Sequence, residues 1–225
     1  MRSVGRPSFS RCSFHRTDRT QFSRLNNAPR GEVIAGSPSG RPTKHADTLT
    51  YMGTYTHILE ANGGTSVVEL GRYVEVEKFA RPMRAFDGVE RFALTLWAMP
   101  PGLDYDKALK LGQDALEFIQ AGGSAEALTV DIRKAGGDQW GVDWVRYVVG
   151  HPHSEPEPLD VAIKLPRATE LVSRSEVFTP EEAGELFFAY YQTGDIPVGY
   201  ALRPVQGFTK DGGNVTLAAE NTSST

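Results

Sequence analysis

From Thr54 to Val205 the apolar residues of this chain recur mostly at every second position, in short runs separated by Gly, Asn and Pro. At only two places do they recur at helical spacing. Alternation lines one face of a strand, whereas an i, i+3, i+4, i+7 stripe lines one face of a helix. A chain patterned this way builds a sheet from many short strands and covers it with few helices.

Tyr55–Leu59 and Ser66–Glu77 flank Asn62-Gly63-Gly64, a turn that supplies positive φ angles, so the pair reads as a hairpin with Val68, Leu70, Val74 and Val76 on one face. Arg91–Met99 is a third strand with Phe92, Leu94 and Leu96 in register, and Pro100-Pro101 ends it. A helix capped by Asp104 is expected next, its stripe formed by Ala108, Leu111, Gly112, Ala115, Leu116 and Ile119 and its stop by Gly122-Gly123. Glu126–Arg133 alternates again through Leu128, Val130 and Ile132, and residues 135–138 turn it into Val142–Val149, a second hairpin. After a proline-rich loop from His151 to Pro158, Leu159, Val161, Ile163 and Leu165 form a short strand.

A second helix is announced by Thr179-Pro180-Glu181-Glu182: a cap, proline at the first helical position and an acid three residues past the cap. Ala183, Leu186, Phe187, Tyr190 and Tyr191 make its buried stripe, and Gly194 ends it. Val198–Val205 is the last strand, and residues beyond about Gly212 read as a frayed tail, 213–225. The expected fold is α+β: an antiparallel sheet of about seven short strands with two amphipathic helices packed on one face. Strand, helix and strand do not repeat regularly enough for a doubly wound fold.

The net charge of −4 hides two unlike parts. Residues 1–51 carry nine basic against three acidic side chains, a net of +6, and the remaining 174 residues carry 15 against 25, a net of −10. The first part is rich in Arg, Ser, Pro and Gly without helical or strand period, so it buries too little surface to offset its ordering entropy. Three readings fit it: a disordered basic arm, an Arg/Ser-rich transit peptide, or an extension upstream of a true start at Met52. The last is preferred, because MGTYTH leads straight into the first patterned strand. A single domain is expected over residues 52–212. The arm lacks aromatics at stacking spacing and adjoins an acidic domain, so nucleic acid is not the expected partner.

Hydrophobic residues make up 40% of the 225 and no run approaches the roughly 18 apolar residues of a spanning helix, so no membrane association is expected. The single cysteine, Cys12, excludes an internal disulfide and a Cys-rich zinc site. Two sequons, at Asn214 and Asn221, would matter only in a secreted chain, and the expected location is the cytoplasm.

Motifs for chemistry are missing. GxSxG, GxGxxG, GxxxxGK[ST] and HExxH do not occur, and no cofactor is expected. The one metal-like feature is His151-x-His153, followed by Glu155 and Glu157; i and i+2 histidines share one side of a strand, but Pro152, Pro156 and Pro158 make this a surface loop. No metal site is therefore expected, with His151 and His153 as weak candidates. Trp140 and Trp144 flank Asp143. An i, i+4 pair on a strand is either an ordinary packed face or an exposed aromatic patch rimmed by Asp138 and Asp143. The candidate partner interface comprises Asp138, Trp140, Asp143, Trp144, Glu155 and Glu157.

The succession Leu159-Asp-Val-Ala-Ile-Lys-Leu165, then Ser175-Glu-Val-Phe-Thr-Pro-Glu-Glu-Ala183 opening a helix with Phe187-Phe188, then Tyr191-Gln-Thr-Gly-Asp-Ile-Pro197 before a closing strand, resembles immunity-protein family 1 of bacterial polymorphic toxin systems. The resemblance covers roughly residues 159–205. Tyr200 stands where an aromatic such as Trp is usual in that family. It implies a small cytoplasmic α+β protein without catalysis that binds a cognate toxin domain and blocks its active site. The expected function is accordingly that of a non-enzymatic immunity or inhibitor protein with a basic toxin domain as partner. The alternatives are an enzyme with a dispersed active site around His151 and His153, and a secretion-associated binding module.

Overall fold

The hairpin at the start of the pattern forms as its turn residues dictate: β1 (His57–Ala61) pairs antiparallel with β2 (Ser66–Leu70) across Asn62-Gly63-Gly64. The computed structural model describes residues 55–113 and 115–217. The expectations for residues 1–51, Met52, Cys12 and Asn221 lie outside the described residues.

The second strand stops at Leu70 rather than Glu77. Val74 and Val76 do not continue its face, because Glu77–Met83 is a helix, α1, that the sequence pattern did not reveal. Its Phe79, Ala80 and Met83 are buried, and Pro82 in its last turn removes the N–H that would otherwise bond the Lys78 carbonyl, which keeps the helix short. The strand β3 (Ala93–Ala98) follows.

The helix read from Asp104 to Ile119 is correct only in its first half. Asp104 caps α2 (Tyr105–Leu111) by accepting from the Lys107 amide, but the helix ends at Gly112, which takes the left-handed conformation at φ 64°. Phe118–Ser124 is instead a strand, β4, hydrogen-bonded on both sides, to β3 and to β5 (Ala127–Ala135). Gly122-Gly123 therefore lies within a strand. The stripe through Ile119 was a coincidence of spacing: Ile119 and Ala121 are apolar because they share one face of the sheet, and two neighbouring strands outweigh local helical preference.

β6 (Trp144–Gly150) completes the second hairpin. The hairpin β7 (Val161–Leu165) and β8 (Ala168–Val172) forms a separate two-stranded sheet, and β8 is a strand that the sequence pattern does not reveal. The helix α3 (Pro180–Thr193) appears as its cap predicts: the Thr179 hydroxyl accepts from the Glu182 amide, and Glu182 accepts from the Thr179 amide. β9 (Ala201–Phe208) and β10 (Asn214–Thr216) close the chain, so the stretch expected to be frayed supplies a short strand that includes Asn214.

The main sheet has eight strands in the order β10-β9-β6-β5-β4-β3-β1-β2, antiparallel throughout. The fold is α+β. α1 and α3 cover one face, where Phe79, Met83, Leu186 and Phe187 pack on Leu96, Ile119, Val130 and Ile132. Each such side chain contributes about 1.5–3 kcal/mol by leaving water. α2 lies on the other face, where Ala108 packs with Ile58 and Trp97. The two helices read from sequence thus take opposite faces, and the partner of α3 is the unforeseen α1. The β7–β8 hairpin covers the same second face farther along, through Ile163 and Val172 on Val148.

Candidate functional site

The six residues expected at a partner interface fall at the two ends of β6. Seven residues at about 3.3 Å each separate those ends by roughly 20 Å. Asp138, Trp140, Asp143 and Trp144 lie before the strand, and Glu155 and Glu157 lie beyond it.

At the first end the two tryptophans do not share a face. Trp140 belongs to a 3-10 turn, Asp138–Trp140, and packs with Val142, Val145 and Leu217. Trp144 opens β6 on the opposite side from Val145, beneath the guanidinium of Arg133 at 5.3 Å from its ring centroid. The i, i+4 argument failed because Trp140 precedes the strand. Asp143 accepts from the Lys210 backbone amide at 2.9 Å, so it ties β6 to the β9–β10 turn. Asp138 is exposed.

At the second end, His151 is a structural anchor. Its Nδ1 lies 2.8 Å from the Ser175 carbonyl, its Nε2 lies 3.3 Å from Glu182, and its ring stacks on Phe178 at 4.4 Å with Tyr200 nearby. His153 Nδ1 turns back to the His151 carbonyl at 2.9 Å. The two imidazoles are spent on different partners, and no group of three or more His, Cys, Asp or Glu among the described residues is placed to hold a metal.

The chain from Pro152 to Asp160 is exposed at every position. Glu157 accepts from the Ser175 amide at 2.9 Å, a bond that holds its carboxyl below the usual range. Glu155 and Asp160 make no hydrogen bond or ion pair with any described residue. The result is a proline-stiffened loop, fixed at His151 and Glu157, that presents free carboxylates.

Sequence reasoning missed a charged layer on the second face of the sheet. Thr129, Asp131 and Arg133 alternate with the buried Leu128, Val130 and Ile132, a pattern that ordinarily places them in water. The β7–β8 hairpin packs on this face instead; Thr129 and Asp131 are buried, and Arg133 is half-buried against Trp144 and Phe208. Arg146 Nη1 donates to Asp131 at 2.5 Å, with those side chains 16% and 9% exposed, and lies 3.8 Å from Glu170 of β8. Arg203 grips Glu176 beside them. Asp131 Oδ1, Thr129 Oγ1 and Arg146 Nε are buried without a hydrogen-bond partner among the described residues. Burial, opposed by Arg146, pushes the Asp131 carboxyl up. The signal available in the sequence was Glu170 itself, an acid that alternates with Ala168 and Val172 on one face of a short strand.

Two open cavities, of about 680 and 870 Å³, meet at Tyr73, Val74 and Glu75 beside the free edge of β2. The first contains His57 and Tyr191, whose rings lie 4.7 Å apart at a tilt of 49°, and burial lowers the imidazole to about 4, so it is neutral near pH 7. Neither cavity contains His151, His153 or any of the six interface candidates.

No helix among the described residues is long and apolar enough to cross a membrane. Comparison of the chain with protein-family models, with curated proteins and with solved structures gives no match.

Proposed function

We propose that this chain is a non-enzymatic immunity or inhibitor protein that acts in the cytoplasm by binding a basic toxin domain and blocking it. The observation that carries this reading is the loop from Pro152 to Asp160. It is fully exposed, fixed at His151 and Glu157, and presents Glu155 and Asp160 without internal partners. Its three prolines restrict φ, so little further entropy is lost when it docks. The surplus of ten acidic side chains over residues 52–225 would steer a basic partner toward the domain. The resemblance of residues 159–205 to immunity-protein family 1 supports the same reading. It favours a protein over a nucleic acid as partner, because phosphates would be repelled by this surface.

The test is affinity capture with the full chain from a lysate of its own host at moderate salt, followed by an activity assay of whatever binds in stoichiometric amount. The expected result is a basic protein domain whose activity is lost at equimolar chain. A captured protein that keeps full activity in the complex, or copurification of a small molecule or metal with no protein, overturns the reading.

A further inference from the structure

Beneath the β7–β8 hairpin, three carboxylates meet two guanidinium groups that are already committed. Arg203 holds Glu176 through two hydrogen bonds, and Glu176 also accepts from the Ser173 amide at 2.9 Å. Arg146 gives its close contact, 2.5 Å, to Asp131 and reaches Glu170 only at 3.8 Å. The third guanidinium on this face, Arg133, lies over the Phe208 ring at 4.1 Å and near Trp144. Within the hairpin itself, the Lys164 side chain is exposed on the outer face, and Arg167 belongs to the turn between β7 and β8.

Glu170 is thus the carboxylate in excess. It stands on the inner face of the hairpin, directly across from buried Ile163, with its side chain 25% exposed and Asp131 close by. A third negative charge placed here loses hydration and meets a like charge, so the neutral acid is the form that fits when the hairpin lies on the sheet.

We infer that the β7–β8 hairpin is a proton-held latch: neutral Glu170 lets it seat on the sheet, and loss of that proton to solvent loosens it. Burial first, then the Asp131 charge, raise the Glu170 carboxyl to about 7, with Arg146 and Arg203 opposing and Glu176 adding to the rise. The seat is therefore tightest below the ordinary glutamate value of 4.5 and loosens as pH rises from there through about 7. Ile163, Val161 and Val172 remain as apolar contacts, so deprotonation weakens the seat without abolishing it. Asp160 and the acidic loop run directly into β7, so the latch also sets the pose of the surface assigned above to the toxin domain. That last link rests on the inhibitor reading; the latch does not.

The test uses the full chain alone, with no partner present. Backbone hydrogen exchange is measured at about pH 6 and about pH 8 and expressed as protection factors, which remove the intrinsic pH dependence of exchange. The amides of β7 and β8 are expected to lose about tenfold in protection at the higher pH, while the β4–β5 ladder keeps its value. The isosteric Glu170→Gln removes that loss: its hairpin is as protected at pH 8 as at pH 6, and at least as protected as the wild type at pH 6. Equal protection at both pH values in the wild type, or an equal loss in Glu170→Gln, overturns the latch. The carboxyl carbon of Glu170 in the wild type, followed by NMR, provides a check that needs no variant: a midpoint at the ordinary glutamate value removes the proton the latch requires. None of these readings depends on whether a toxin domain binds, so the latch and the inhibitor reading fail separately.

Discussion

Arg203 holds Glu176 by two hydrogen bonds, Nε to Oε1 at 2.6 Å and Nη2 to Oε2 at 2.8 Å, and the Glu176 side chain is only 5% exposed. The pair joins β9 to the 3-10 turn Arg174–Glu176, whose carbonyl at Ser175 receives the His151 amide and faces the His151 ring. Removing the cation strands a buried carboxylate, which is far costlier than removing both charges. Arg203→Met is expected to cost about 3–5 kcal/mol in urea unfolding, and the double variant Arg203→Met with Glu176→Leu less than the single one. A single variant as stable as the wild type would show that the pair is not desolvated in solution.

The α1–α3 crossing is tight enough to need a glycine. A methyl group built at Gly184 would lie 2.8 Å from the Ala80 Cβ and 3.2 Å from the Ala80 backbone, so the helices must part to admit it. Gly184→Ala is expected to cost about 1–3 kcal/mol despite its better helix propensity. Adding Ala80→Gly should recover only part of that, because the backbone contacts remain. Chemical denaturation of the two variants measures both effects.

His57 makes the fold sensitive to acid. Its folded value, about 4, lies below the ordinary 6.5, so between these limits the unfolded chain binds a proton that the folded chain does not. The contribution of its burial is complete above about pH 6.5 and is lost as pH falls toward 4. His57→Phe keeps a ring against Tyr191 and removes the titration. Comparison of urea midpoints at pH 4.5 and 7 should show the wild type losing on the order of 2 kcal/mol more than the variant. Parallel losses in the two proteins would assign the acid sensitivity to other groups.

The exposed loop should affect association and leave stability alone. Glu155→Lys with Asp160→Lys alters two exposed side chains that form no hydrogen bond or ion pair with the described residues, so unfolding is expected to change by less than about 0.5 kcal/mol. The rate of association with the captured toxin domain should fall about tenfold at low salt, and its salt dependence should flatten. Unchanged kinetics would move the docking surface away from this loop.

What could be read from the sequence divides along a physical line. α3 was legible from Thr179 to Gly194 because its start and stop are written in local chemistry: a reciprocal hydroxyl–carboxylate cap, a proline at the first helical position and a left-handed glycine. The two hairpins flanking Asn62-Gly63-Gly64 and residues 135–138 were legible for the same reason, since turn residues act on their own backbone. Phe118–Ser124 was misread as helix because an isolated apolar spacing fits either element, and only hydrogen bonds to β3 and β5 decide between them. α1 was missed because a seven-residue helix without a side-chain cap takes its stability from Phe79 and Met83 packing under α3.

The candidate site divides in the same way. Composition alone placed Glu155 and Glu157 in a stiff, exposed loop, because prolines and charges act where they stand; that Glu157 is tied to the Ser175 amide, and that Asp160 lies in the loop rather than in the strand, was decided by the structure. The charged layer of Asp131, Arg146, Glu170, Glu176 and Arg203 could not be seen, because its members come from five segments up to 72 positions apart in the sequence. Asp131 and Arg146 read as ordinary surface residues until the β7–β8 hairpin, with Glu170 on its inner face, packs against the sheet. By itself the sequence determined the class of fold, the sign of its surface and the ends of its best-capped helix, all of which depend on neighbours along the chain. The tertiary structure decided which face each helix covers and which charges leave water, because burial depends on what folds on top and not on what comes next.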